Sequence, residues 1–388
     1  MSNKPRKIAV VVTARATFSR IRTALHAIKD HPDLELKLIL AASVLLDRFG
    51  SAAELIEQDG FTIAAKVFNV LEGSTPTLMA KSTGIGIVEL ATALDQVAPD
   101  MVVTVADRYE TMATALAASY MNIPLAHVQG GEVTGSIDEK VRHAITKLAD
   151  VHLVATKRAA ERVRRMGEEP ARIHHTGCPS IDLAKDVLEE SETDFDPMAK
   201  YGGVGADLDL SKGYLMVLQH PVTTEHQAAR SQAEVLLKVI HSQNLPTIWF
   251  WPNIDAGSDG TSKALRVFRE LHPEAPVHFF RNVDGRDFLR LLKGSRCLVG
   301  NSSVGVRECG YLGVPVVNIG TRQLGRERSP NVRDVPEFEE QAIASALASQ
   351  VKHASFESCH LYGEGQGGRR IAEVLAKTPL FFEKRLTY

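Results

Sequence analysis

Residues 101–129, MVVTVADRYETMATALAASYMNIPLAHVQ, decide the fold. MVVTVA (101–106) is an unbroken apolar run rich in β-branched residues. Residues 110–120 are alanine-rich and helical, and PLAHVQ (124–129) is a second apolar run. A strand that is apolar throughout, rather than alternating, is buried on both faces. Strand, helix and strand in this order join parallel neighbours of a covered sheet.

The same alternation extends outward. Towards the N-terminus lie KIAVVVT (7–13), a helical SRIRTALHAIKD, LELKLILAA (34–42), a strand over 61–69 and a helix over 76–97 whose GIG suggests a break. Towards the C-terminus come a helix over 137–149, VHLVAT, KRAAERVRRMG and IHHTG. The pattern lapses over 188–212, which is acidic and then glycine-rich, and reads as a linker. It restarts with YLMVLQH, PTIWFWPN, VHFFRN, CLVGNSS and PVVNIG, each followed by a helical or loop stretch. The fold class expected is α/β, with two doubly wound Rossmann-like domains facing a cleft. The divisions are an N-terminal domain at 1–187, the linker at 188–212, a C-terminal domain at 213–365, and a C-terminal helix at 366–388 that can pack back on the N-terminal domain.

Composition sets the outer limits. A chain of 388 residues suits two domains. Its 44% apolar and 24% charged residues are those of a globular protein rather than a disordered one. The formal net charge of −2 argues against nucleic-acid or membrane affinity of the whole chain, though not against a local basic pocket. Four scattered cysteines (Cys178, Cys297, Cys309 and Cys359) have no metal-ligand spacing and suggest reduced thiols in a cytoplasmic setting. No apolar stretch reaches the ~18 residues of a membrane span.

Polar residues that look misplaced cluster just after strand ends, the edge where open α/β sheets bind ligands. Arg15 and Ser19 follow the first strand; the guanidinium suits a phosphate, and the serine suits an anion or a plain N-cap. Asp107 and Arg108 follow the fourth. After the fifth comes VQGGEVTGSIDEKVRHAITK (128–147), a glycine loop carrying Glu132 and then a helix with Asp138, Glu139, Lys140, Arg142 and His143. Site residues favour such loops, which singles out Glu132 and Asp138, whereas Glu139 and Lys140 read as solvated helix face. In the second half, His220 ends YLMVLQH, and Asn253 and Asp255 lie in a turn after TIWFW. Ser302 and Ser303 open a helix after CLVGN, a position suited to pyrophosphate. Glu308, five residues beyond Ser303, suits ribose hydroxyls. Arg322, Arg326 and Arg328 follow the next strand, partly as solvated surface. GIGIVE (84–89) lacks a preceding strand and ends no dinucleotide fingerprint. No P-loop, GxSxG or HExxH is present.

With these residues in hand, the chain resembles the hydrolysing UDP-N-acetylglucosamine 2-epimerases of sialic-acid and legionaminic-acid pathways. The resemblance runs from RATFS (15–19) to HLYGEG (360–365). It is carried by ADRYE, GGEVTGSIDEKVRHAITKLA, GCPSID, LQHPVTTE, PNIDAGS, GNSSVGVRE and GTRQLGRE. It implies a glycosyltransferase-B fold with UDP held by the C-terminal domain. Asp107, Glu132, Asp138 and His220 would form the catalytic set, the acid and base roles staying open. Arg15, Ser19, Arg108, His143, Asn253, Asp255, Ser302, Ser303, Glu308 and Arg322 would bind substrate. The implied reaction is anti elimination of UDP from a 2-acetamido sugar nucleotide, then hydration to an N-acetylmannosamine-type sugar. It calls for no cofactor and no metal, and for a homodimer or homotetramer. Thr17, where that family is expected to carry an acid, and the 71–82 loop depart from the pattern. They leave open a 2,4-diacetamido-2,4,6-trideoxy sugar, and the choice between UDP and GDP stays open as well. A non-hydrolysing epimerase, a glycosyltransferase of the same fold and a non-catalytic sugar-nucleotide regulator are the competing readings.

Overall fold

The computed structural model describes residues 4–46, 52–73, 75–134, 137–191, 195–252, 256–380 and 383–387. Asn253 and Asp255, expected in the substrate site, and the loop residue Gly135 lie outside the described residues.

Seven strands build the first sheet: β1 Arg6–Val12, β2 Leu34–Ala41, β3 Ile63–Val67, β4 Met101–Val105, β5 Leu125–Val128, β6 Val151–Val154 and β7 Ile173–His175. Their order is β3-β2-β1-β4-β5-β6-β7, and every pairing is parallel. Apolar side chains on both strand faces explain this, since helices must cover the two sides. Ile8, Val10 and Leu38 enter one core, and Ala9, Val11 and Ile39 the other. The order reverses between β1 and β4, a switch point that opens a crevice at the strand C-termini.

The second sheet comprises β8 Val204–Gly205, β9 Leu215–Leu218, β10 Thr247–Phe250, β11 Val277–Phe280, β12 Cys297–Gly300, β13 Val316–Ile319 and β14 Val332–Val335. Its order is β14-β13-β12-β9-β10-β11-β8, parallel except for β8. Again two cores flank it, one around Met216 and Phe280, the other around Val217 and Trp249.

Three details differ from expectation. The helix over Pro76–Val97 runs without a break through GIG. A Cβ on Gly86 would lie 2.7 Å from Asn69 Nδ2 and 3.0 Å from that of Ala113, so this glycine serves close packing rather than interruption. The stretch read as a linker carries a short Pro197–Tyr201 helix and the antiparallel edge strand β8. The His278 ring fixes it, with nitrogens 2.9 Å from Gly202 O and 2.8 Å from Ala206 O. Third, the helix expected to open at Ser302 is a 3₁₀ turn, Ser303–Gly305, followed by a five-residue helix, Glu308–Leu312.

The chain then returns to the first domain. Ile371 and Leu375 of the Gly367–Lys377 helix join the β1 core. The amides of Gly367 and Gly368 both donate to the Asp182 carboxylate at 2.7 Å. Lys384 reaches Glu168 at 2.6 Å. The four cysteines are free, and no described helix is long and apolar enough to cross a membrane.

Candidate active site

A cavity of about 790 Å³ opens between the C-terminal edges of the two sheets. Eight of the residues expected from sequence line it: Arg15, Ser19 and Arg108 from the first domain, and His220, Ser302, Ser303, Glu308 and Arg322 from the second. A smaller pocket of about 60 Å³ adjoins it, with Asp107 and Asp138 in its wall. The two cavities share Ala16, Arg20, Arg108 and Arg322.

Strand ends place these groups. Gly300 ends β12 at φ +132, and a Cβ there would sit 2.2 Å from Leu218 O, so only glycine lets β12 and β9 run this close. Asn301 then ties the two ends together: its Oδ1 accepts from His220 N at 2.8 Å and its Nδ2 donates to His220 O at 2.7 Å. This leaves the His220 ring in the cavity wall. Ser302 Oγ accepts from Val304 N at 3.4 Å, and Arg20 donates to Ser303 Oγ at 3.2 Å. A single 3₁₀ turn has little macrodipole, so the attraction for an anion comes from hydroxyls and guanidinium groups instead.

On the opposite side, Asp107 follows Ala106, which adopts φ +65. His127 fixes that turn from below: its Nε2 donates to Ala106 O at 2.8 Å, and its Nδ1 lies 3.2 Å from Thr146 Oγ1. Burial lowers the His127 pKa to about 3, so the ring is neutral and Nε2 carries the proton. Arg142, 1% exposed, contacts the Asp107 carboxylate and donates to Glu132 O at 3.0 Å and Glu139 Oε2 at 3.1 Å. Burial, then the nearby Arg326 and Arg307, push its pKa well down. Glu139, expected as solvated helix face, instead accepts from Thr134 N at 2.6 Å, from Arg142, and lies 3.0 Å from His143 Nε2. His143 lines neither cavity.

Glu132 lies one layer behind. Its side chain is 2% exposed and lines neither cavity; its Oε2 is 2.7 Å from Arg307 Nη2 and 3.1 Å from Arg326 Nη2. Burial raises its pKa, but the two arginines outweigh that and hold the carboxylate below its usual range. For Arg307 burial works downward, and the field of Glu132 turns the net shift upward. Sequence reading missed Arg20, Arg142 and Arg307 and took the Arg326 run as partly solvated. The one available signal was their nearness in sequence to predicted site residues: Arg20 beside Ser19, Arg142 beside His143 and Arg307 beside Glu308.

Two doubly wound domains meeting over a cleft of serine hydroxyls, guanidinium groups and facing carboxylates define an α/β protein of the glycosyltransferase-B fold. The family described as UDP-N-acetylglucosamine 2-epimerase matches residues 26–376. The chain belongs to that family. It is 30% identical over 375 residues to the Legionella pneumophila UDP-N,N'-diacetylbacillosamine 2-epimerase (hydrolyzing), covering 97% of each chain. It is 31% identical over 345 residues to polysialic acid biosynthesis protein P7 of Escherichia coli, covering 88% of this chain and 85% of that one. Its fold is similar to that of the Neisseria meningitidis UDP-GlcNAc 2-epimerase bound to UDP-GlcNAc, with TM-score 0.78, 16% identity, and coverage of 96% of this chain and 100% of that one.

Proposed function

We propose that this protein is a hydrolysing 2-epimerase of nucleotide-linked 2-acetamido sugars. It converts UDP-N-acetylglucosamine, or a close analogue, and water into an N-acetylmannosamine-type sugar and UDP, for nonulosonic-acid synthesis. The observation that carries this reading is the pair Asp107 and Asp138 in one small pocket whose wall shares Arg20, Arg108 and Arg322 with the phosphate-type cavity. A sugar in the small pocket then has its diphosphate beside the guanidinium groups.

In the proposed reaction a carboxylate takes the C2 proton, the C1–O bond breaks, and its electron pair leaves with the β-phosphate of UDP. The C1–C2 double bond of a 2-acetamidoglucal remains. Water then adds its oxygen to C1, and a proton reaches C2 from the opposite face, inverting that carbon. Positioned acids and bases supply the proton transfers. Ser302, Ser303, Arg20 and Arg322 stabilise the departing diphosphate. Asp107, Asp138 and His220 form the acid–base set; Glu132, expected among them, is a positioning residue behind the pocket, its carboxylate held ionised against Arg307 and Arg326. Arg15, Ser19, Arg108 and Glu308 contact the nucleotide. A 2,4-diacetamido sugar nucleotide is the second candidate substrate, favoured by the name of the Legionella relative and by the small side chains of Ala14, Ala16 and Ala52 in the wall.

The test is incubation with UDP- and GDP-linked 2-acetamido sugars, with and without a C4 acetamido group, followed by phosphorus and proton NMR. Free nucleoside diphosphate and a free 2-epimeric sugar are expected. Recovery of an intact epimeric sugar nucleotide, or cleavage only when an acceptor is added, would overturn the reading.

A further inference from the structure

The helices Ala229–Gln243 and Ser258–Leu271 pack together on the second domain, and their C-terminal ends lie side by side. His241 stands in the last turn of the first, His272 directly follows the second, and Glu274 lies two residues on. The ring of Phe268 props both imidazoles, with centroids 5.6 Å from His241 and 4.9 Å from His272, and the two imidazoles are 4.6 Å apart. Each of His241, His272 and Glu274 offers one ligand atom, and the three atoms lie within 4.8 Å of one another. His272 Nδ1 is 3.8 Å from Glu274 Oε1. His241 Nδ1 is buried and has no hydrogen-bond partner among the described residues, which a buried polar nitrogen rarely tolerates. None of the three lines the cleft.

Packing on Phe268 accounts for two neighbouring imidazole rings but not for a carboxylate brought to the same point. Two imidazole nitrogens and one carboxylate oxygen are the donor set of zinc and its neighbours in the transition series; magnesium and calcium prefer all-oxygen shells. Bonds of about 2.1 Å in a tetrahedron need ligand atoms about 3.4 Å apart. The remaining movement falls on the two open side chains, His272 at 39% and Glu274 at 69% exposure, while His241, whose Nδ1 is buried, is the anchor. We infer that His241, His272 and Glu274 form a zinc-type site on the C-terminal domain, which clips the ends of the two helices and leaves one coordination position to water. It stands apart from the proposed reaction and does not depend on it.

The experiment uses the untagged full chain, with its cysteines kept reduced, titrated calorimetrically with Zn²⁺ and, for comparison, Mg²⁺. One Zn²⁺ per chain is expected, with no binding of Mg²⁺, and a higher thermal unfolding midpoint with zinc than with EDTA. His241→Ala and His272→Ala should each weaken zinc binding at least tenfold, and together they should abolish both the binding and the rise in midpoint. Glu274→Gln, at an exposed position, keeps the fold and should weaken binding, so the site remains testable if a histidine variant fails to fold. Absence of a one-per-chain event in the unaltered protein, or unchanged zinc affinity in Glu274→Gln and the double variant, would overturn the site.

Discussion

The carboxylate of Glu132 meets the guanidinium of Arg307 at 2.7 Å, across the two domains and 175 residues apart in sequence, with both side chains 2% exposed. A buried charge pair is costly to assemble and costly to break, because either partner left alone has no water to turn to. Here Arg326 stands 3.1 Å away as a second partner, so the acid faces more positive charge than it cancels. The contact therefore joins three tasks: it closes the domains, keeps Glu132 ionised, and holds positive charge behind the cleft.

Glu132→Gln should destabilise the protein by about 3 kcal/mol or more, since two buried guanidinium groups lose their counter-charge. Turnover should fall at least ~100-fold while UDP binding persists. Arg307→Gln should also destabilise, and the double variant should cost less than the sum, with a coupling of about 1–3 kcal/mol. Urea unfolding of the four proteins measures this directly; strict additivity contradicts the pairing.

Arg142 supports Asp107 in the same manner. Arg142→Met removes the contact to that carboxylate together with the bonds to Glu132 O and Glu139. The expected result is a drop in kcat of about 100-fold or more with a smaller change in KM, because the diphosphate-binding side chains remain. Steady-state kinetics that show a change in KM alone would assign Arg142 to binding instead.

His127 gives the fold an acid-sensitive element. Its folded pKa, about 3, lies below the ordinary 6.5 because the buried ring must stay neutral. The unfolded chain therefore binds one more proton between those values. Stability is full above pH 6.5 and declines as pH falls towards 3, by about 1.4 kcal/mol per pH unit from this ring. His127→Asn should flatten the dependence by one proton in urea melts recorded from pH 7 to pH 4. An unchanged slope would mean that the ring is not the group responsible.

Ser302 and Ser303 replace a helix dipole with two hydroxyls. Hydrogen bonds to a charged group contribute about 1.5–3 kcal/mol, so Ser302→Ala or Ser303→Ala should weaken UDP binding roughly 10- to 100-fold by calorimetry. Stability should barely move, since both side chains face the cavity.

The parts of this molecule readable in the sequence were those governed by local chemistry. β1, β4 and β9 are continuous apolar runs, and the strand-end rule points to Arg15, Asp107, His220 and Ser302, all of which line the two cavities. β8 was hidden because two residues containing a glycine carry no periodicity, and only the His278 ring and the edge of β11 make them a strand. The helix expected at Ser302 differs for a similar reason: the Ser303–Gly305 turn brings Gly305 against Val316, a contact that local propensity does not foretell. Arg307 and Arg326 were the least legible. An arginine in a turn or loop looks solvated until a carboxylate from the other domain arrives, and that partner is a matter of tertiary structure alone.

In the proposed reaction the bond between sugar C1 and the phosphate oxygen breaks with exchange of the C2 hydrogen. Turnover of UDP-N-acetylglucosamine, or of its C4-acetamido analogue, in deuterated water enriched with oxygen-18 tests it most directly. The expected products are a free 2-epimeric sugar carrying deuterium at C2, and UDP released without oxygen-18. Oxygen-18 in the UDP phosphate, or retention of the original hydrogen at C2, would contradict it.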